Sequence, residues 1–204
     1  MQYTYEPDNK NFKLETYEWD NTWIDHANSP EFKRALYIGD SISCQIRSFA
    51  TKKADGKIVF DLFGSSKSVD NPYFKEALKL FGNQQKQRDV ILFNNGLHGW
   101  HLEPEDYKLY YEDMVKFLLN EFEDIPLILV LTTHADKQKE RVLQRNAKVR
   151  EIAAKYNLPV MDLYSESEKI TSLHTDGVHF SEEGSEILAG KIVEFLEENL
   201  PELK

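Results

Sequence analysis

Apolar positions along the chain fall into two kinds of run. Five are short and almost continuously apolar: Ala35–Ile38, Ile58–Leu62, Val90–Phe93, Leu127–Leu131 and Val160–Leu163. Runs of this length and character predict strands covered on both faces. Between them, apolar residues recur with helical spacing. Asn71-Pro72 opens one such segment, Phe74, Ala77, Leu78 and Phe81 share its apolar face, and Gly82-Asn83 closes it. Glu103-Pro104 starts a longer one through Tyr107, Tyr110, Tyr111, Met114, Phe117 and Leu118. A third spans Gln138 to Tyr156, with Val142, Val149, Ile152 and Ala153 apolar and Asn157 as its stop. Ser181 opens the last, which turns Ile187, Leu188, Ile192, Phe195 and Leu196 inward. Alternating strands and helices predict an α/β fold, a parallel sheet with right-handed crossovers. In such folds chemistry sits beyond the carboxyl ends of the strands.

Residues up to about Ser29 break this pattern. Tyr3, Tyr5, Phe12, Tyr17, Trp19, Trp23 and Ile24 follow no clean period, and residues 1–30 read as an aromatic strap over a sheet edge. A second reading has Trp19 or Trp23 stack on a substrate ring.

Composition narrows the class. The chain has 204 residues, 41% hydrophobic and 29% charged, which suits one soluble globular domain over 1–204. Its formal net charge of −10 makes nucleic acid and anionic membrane poor partners. Cys44 is the only cysteine, so no internal disulfide or cysteine-rich metal site is available. The start, MQYTYEPDNKNFKLETYEWD, lacks the basic and apolar regions of a secretory signal, and Pro126–Leu131 is far too short to span a bilayer. The cytoplasm is the simplest expectation. Nothing in the pattern assigns an oligomeric state.

Two segments carry chemistry. Gly39-Asp40-Ser41 follows the first strand, where a glycine permits a sharp turn and a serine at a helix N-terminus stands exposed, its N–H directed at a developing oxyanion. Alone, Gly-Asp-Ser is also an ordinary turn and cap, and it is not the Gly-x-Ser-x-Gly elbow. Asp176-Gly177-Val178-His179 follows the last strand. A serine hydroxyl needs a base, commonly an imidazole, whose tautomer a carboxylate fixes. Ser41, His179 and Asp176 supply all three parts.

These two blocks, with Gly184 following the second, resemble the first and last blocks of the SGNH (GDSL-type) hydrolases. The resemblance covers about Ala35 to the C-terminal helix. It implies a flavodoxin-like three-layer α/β/α sandwich with a central parallel sheet of about five strands. It also implies ester hydrolysis without a cofactor, by the Ser41–His179–Asp176 triad through an acyl-enzyme. In the family's second block a glycine N–H joins the Ser41 N–H in the oxyanion hole, and Gly64 stands in that place. The third block, normally Gly-x-Asn-Asp, departs here: Asn94-Asn95-Gly96-Leu97-His98-Gly99-Trp100 puts His98 where the asparagine donor belongs. His98 can donate an imidazole N–H, or Asn94 or Asn95 can swing in. The Asn-x-Gly-Leu-His run resembles a branch that includes carbohydrate esterases, and points to a small acyl group, acetyl first, on a sugar or other polar alcohol. Asp40, Asn95 and Trp100 are the candidate substrate-binding residues, although Trp100 also suits core packing.

Other readings stay open. A thioesterase or lysophospholipase would prefer long acyl chains. A carbohydrate-binding protein without turnover would explain the altered third block. A flavodoxin-like nucleotide module would need a phosphate-cradling loop the chain lacks. His98-x-x-His101 has no carboxylate or thiol completing a ligand set, so no metal is expected. His134 and His174 are either cleft-lining or plain loop residues. Arg141, Arg145 and Arg150 read as a solvated helix face with Glu140 and Glu151.

Overall fold

A computed structural model describes residues 13–85, 87–200 and 203. Tyr3, Tyr5 and Phe12 of the strap lie outside them. The elements run β1 (Asp20–Trp23), β2 (Lys33–Gly39), α1 (Ser41–Lys53), β3 (Ile58–Ser65), α2 (Phe74–Gly82), β4 (Val90–Phe93), α3 (Pro104–Glu121), β5 (Leu127–Val130), α4 (Lys139–Tyr156), β6 (Val160–Met161), α5 (Leu163–Glu168) and α6 (Glu182–Asn199). Single 3-10 turns at Asp136–Gln138 and Thr171–Leu173 precede α4 and the last loop.

The sheet order is β1-β3-β2-β4-β5-β6, with every pairing parallel except β1 on β3. Its five parallel strands have the flavodoxin-like order and agree with the expected number. The sixth is a correction: part of the aromatic strap is itself an edge strand, Asp20–Trp23 pairing antiparallel with Ser65–Leu62. Its four residues are exposed, so it carried no apolar run by which to announce itself. The parallel strands β3, β4 and β5 are buried along their whole length, the property that made them legible. α5, six residues long, is too short to show a period and is absent from the sequence reading.

α1 packs on α6 in one layer, and α3 on α2 and α4 in the other. Helix ends follow local chemistry. Pro104 opens α3 from its first turn. Asn157 ends α4 in the left-handed region at φ 53°, with its N–H on the Ala153 carbonyl. The direction in which successive parallel strands are added reverses between β2 and β4, the switch point of the sheet, and the loops after those two strands carry the Ser41 and His98 segments.

Candidate active site

β2 ends at Gly39, and Asp40 caps α1 by accepting the Ile42 N–H at 3.0 Å. Ser41 is therefore the first residue of α1, on the positive end of its dipole. The Asp40 carboxyl is buried, and burial pushes its pKa up against the opposing pull of His98 and His179. Both imidazoles thus lie within electrostatic reach of one carboxyl.

The other half of the site hangs from the loop before α6. A bridge between His174 and Phe180, and the Ser181 N–H on the Leu173 carbonyl at 2.9 Å, close this loop at its base. Inside it, Asp176 Oδ1 accepts the N–H groups of Val178 at 3.0 Å and His179 at 2.8 Å. Such a turn needs Gly177 at φ +86°, and a β-carbon there would press on the Asp136 carboxylate. The free oxygen, Asp176 Oδ2, stands 2.7 Å from His179 Nδ1. His179 Nε2 lies 2.8 Å from Ser41 Oγ. One carboxylate thus folds the turn and orients the ring, and three residues separated by up to 138 positions become a hydrogen-bonded chain. The bonds from the His179 backbone and ring hold the Asp176 carboxyl down to about 2. With Asp176 ionised, the bonded geometry assigns the proton to Nδ1 and leaves Nε2 to accept from the serine hydroxyl.

The third segment follows β4. Asn94 is buried, its Nδ2 donating to the Val130 carbonyl at 2.9 Å and to Thr132 Oγ1 at 3.2 Å. Asn95 is fully buried, donating to the Lys67 carbonyl at 2.7 Å, while its Oδ1 has no partner among the described residues. Both amides are therefore committed to the scaffold. His98 is partly exposed, and its Nε2 is buried with no hydrogen-bond partner among the described residues. Its Nδ1 lies 3.8 Å from Glu15 and its ring meets Trp19 edge-on, so the strap reaches across to this loop. Gly64 lies inside β3, level with Asn21 of β1 and Gly39 of β2, where a β-carbon would strike the Cys44 sulfur. The apolar run Ile58–Leu62 stops short of Gly64, whereas the strand runs on through Ser65. Trp100 is half-buried against the Arg145 guanidinium, 4.4 Å from its ring centroid. His101 pairs with Asp70 at 2.8 Å.

Arg145 overturns an expectation. It is 1% exposed, not part of a solvated face. Its NH1 donates to the carbonyls of Gly96 at 3.0 Å and His98 at 2.6 Å, and its NH2 to Gly99 at 2.5 Å. Between Trp100 and Tyr107 it stacks on both rings. A signal was present: Arg145 follows Val142 by three and precedes Val149 by four, on the apolar face of α4. Glu15 accepts the Gly99 N–H at 2.6 Å across 84 positions, and no local pattern announces such a contact.

Comparison with known proteins places this chain in a family. A family model described as GDSL-like Lipase/Acylhydrolase matches residues 36–192. No curated protein matches the chain in sequence. Among solved structures, a lipase/acylhydrolase from Enterococcus faecalis is similar at TM-score 0.61 and 18% identity, over 81% of this chain and 96% of that one. An acetyl xylan esterase, AlAXEase, is similar at TM-score 0.66 and 15% identity, over 80% and 99%. The C-terminal catalytic domain of Streptococcus pneumoniae peptidoglycan O-acetyltransferase A, solved with a methylsulfonyl adduct, is similar at TM-score 0.63 and 22% identity, over 81% and 93%. At these identities the likeness is one of fold.

Proposed function

The chain belongs to the GDSL-like lipase/acylhydrolase family of ester-bond hydrolases, and from that premise we propose that it is a serine esterase removing small acyl groups, acetyl first, from a carbohydrate or other polar alcohol. Ser41 is the nucleophile, His179 the general base and Asp176 the residue that orients it. The observation that carries the assignment is the unbroken chain from Ser41 Oγ to His179 Nε2 at 2.8 Å and from His179 Nδ1 to Asp176 Oδ2 at 2.7 Å.

In the first half-reaction Ser41 Oγ bonds to the ester carbon as its proton passes to His179 Nε2. The oxyanion sits against the Ser41 N–H on the α1 dipole, with His98 Nε2, which has no partner among the described residues, as a further donor; Gly64, paired within the sheet, is a donor only on the family resemblance. Collapse breaks the bond to the alcohol oxygen, which leaves with the proton from His179. Water then attacks the acyl-enzyme, gives its proton to His179, and the acid departs as Ser41 takes that proton back. Every proton moves between Ser41, His179, water and substrate, so no cofactor is called for. Of the three candidate substrate-binding residues Asp40, Asn95 and Trp100, the half-buried Trp100 lines the substrate side in this reading. The buried positions of Asp40 and Asn95 give them a supporting part, behind the groups that touch substrate.

Acetyl is favoured because two of the similar structures are named for acetyl transfer or removal, an acetyl xylan esterase and an O-acetyltransferase. The test is p-nitrophenyl ester turnover on acetyl, butyryl and octanoyl substrates by wild type and Ser41→Ala. Acetyl preference, with the variant reduced by about 10⁶-fold or to background, is the expected result. Full turnover by Ser41→Ala would overturn the nucleophile, and a preference for octanoyl would overturn the acyl class in favour of a thioesterase or lysophospholipase.

A further inference from the structure

Beside the loop that carries Asp176 and His179, three side chains converge that the ester chemistry does not use. His134 follows β5, Asp136 opens the 3-10 turn before α4, and His174 begins the loop itself. The Asp136 N–H donates to the Gly177 carbonyl at 2.8 Å, which draws the three segments together. His134 is held from behind by its own N–H on Ser167 Oγ at 2.8 Å, and the His134 and His174 rings stack at 5.7 Å.

Two features of this cluster stand out. First, the nitrogens are orphaned: His134 Nδ1 and both nitrogens of His174 are buried with no hydrogen-bond partner among the described residues. The His174 side chain is only 4% exposed. Leaving a buried polar atom unpaired costs about 1–3 kcal/mol, so three in one place call for a shared partner. Second, the two carboxylate-to-imidazole spacings are those of a coordination shell. Asp136 Oδ1 lies 3.4 Å from His134 Nδ1 and 3.3 Å from His174 Nδ1, neither contact having hydrogen-bond geometry. The three donor atoms all fall within 4.8 Å of one another. Donors about 2.0–2.1 Å from a tetrahedral zinc ion stand about 3.3–3.4 Å apart.

We propose that His134, Asp136 and His174 form a binding site for a divalent transition-metal ion of the zinc class. Two imidazole nitrogens and one carboxylate oxygen supply three ligands, and the exposed side of Asp136 leaves the fourth position to water. The alternative, two imidazolium ions sharing one carboxylate, stacks like charges at 5.7 Å. Burial also pulls the His134 pKa down, which keeps that ring neutral and its lone pair available. Bound metal would pin the β5–α4 connection to the loop bearing Asp176 and His179, and its role is to brace that loop.

The experiment uses tag-free full-length protein stripped with chelator, titrated with ZnCl2 by calorimetry and with CoCl2 by visible absorption. One Zn²⁺ per chain with micromolar or tighter affinity is expected, together with the intense visible bands of four-coordinate Co²⁺. Asp136→Asn, near-isosteric at a position with a 54% exposed side chain, should weaken binding by at least about tenfold and bleach the cobalt bands. His134→Gln should do the same, while His101→Gln leaves both signals unchanged. Zn²⁺ should also raise the wild-type Tm by mass action, and that of Asp136→Asn much less. Absence of uptake by wild type, or uptake and cobalt spectrum unaltered in Asp136→Asn, would overturn the site. Neither readout depends on ester turnover.

Discussion

In the proposed mechanism two effects meet at Ser41: the imidazole of His179, 2.8 Å from its hydroxyl, is the base for its proton, and the N-terminal dipole of α1 favours the negative charge that develops on the ester oxygen. Asp176 does its work while more than half exposed, so its low pKa reflects the local bonds from the His179 backbone and ring, and solvent screens any wider effect. The sign of its pH dependence follows. A carboxyl whose folded value lies below the unfolded value of about 3.9 keeps its bonds above that value and loses them only as pH falls through about 2. Activity lost on mild acidification therefore comes from a group other than Asp176. A plot of log kcat/KM against pH should keep a unit slope through about pH 4 and down to about pH 3. A second break at about 3.9 would mean that the carboxyl titrates in its ordinary range.

At the scale of elements, α4 positions the loop after β4. Arg145 projects from its apolar face and spans the carbonyls of Gly96, His98 and Gly99 with one planar fork. Burial depresses the guanidinium pKa without neutralising it, and the stacked rings of Trp100 and Tyr107 hold it flat. A lysine keeps the charge, but its compact ammonium lacks the planar fork that spans these carbonyls and stacks between the two rings. Arg145→Lys is expected to lower kcat on p-nitrophenyl acetate by about 10–100-fold with a much smaller change in KM, since it misplaces His98 without touching the ester. A variant with wild-type kcat would show that the loop keeps its shape unaided. Glu15 supports the same loop from the opposite side through the Gly99 N–H, so strap and helix clamp it together.

Over the whole molecule, a buried ion pair fastens the strap to the sheet at the end opposite the site. Arg34 and Asp61, 1% and 3% exposed, meet at 2.9 Å. Arg34 also donates to the carbonyls of Asp25 and His26, and Asp61 accepts the Asp25 N–H. Burial pushes the Asp61 carboxyl up despite its partners, the mark of a pair that is costly to form and costlier to split. Arg34→Met alone should destabilise by about 3–5 kcal/mol in urea unfolding, because a carboxylate is left buried and unpaired. Arg34→Met with Asp61→Leu should recover most of that loss. Equal losses for the single and double variants would show that the pair is not coupled.

How much was legible tracks the range of the interaction. Continuous apolar runs announced the five parallel strands, because a strand buried on both faces must be apolar whatever covers it. Helical spacing and caps placed the starts of α2, α3, α4 and α6 within a residue or two, since both depend on neighbours three or four positions away. Ser41, Asp176 and His179 stand out from the short blocks around them, and the fold brings the three side chains into one hydrogen-bonded chain. Tertiary structure alone decided what no neighbour in sequence controls. It turned the exposed Asp20–Trp23 segment into an edge strand by backbone pairing, which ignores side-chain polarity. It buried Arg145, whose charge argued for solvent until three carbonyls converged on it. It also gathered His134, Asp136 and His174 into one shell, because the order of strands across a sheet is a property of the whole chain's packing and not of any local pattern.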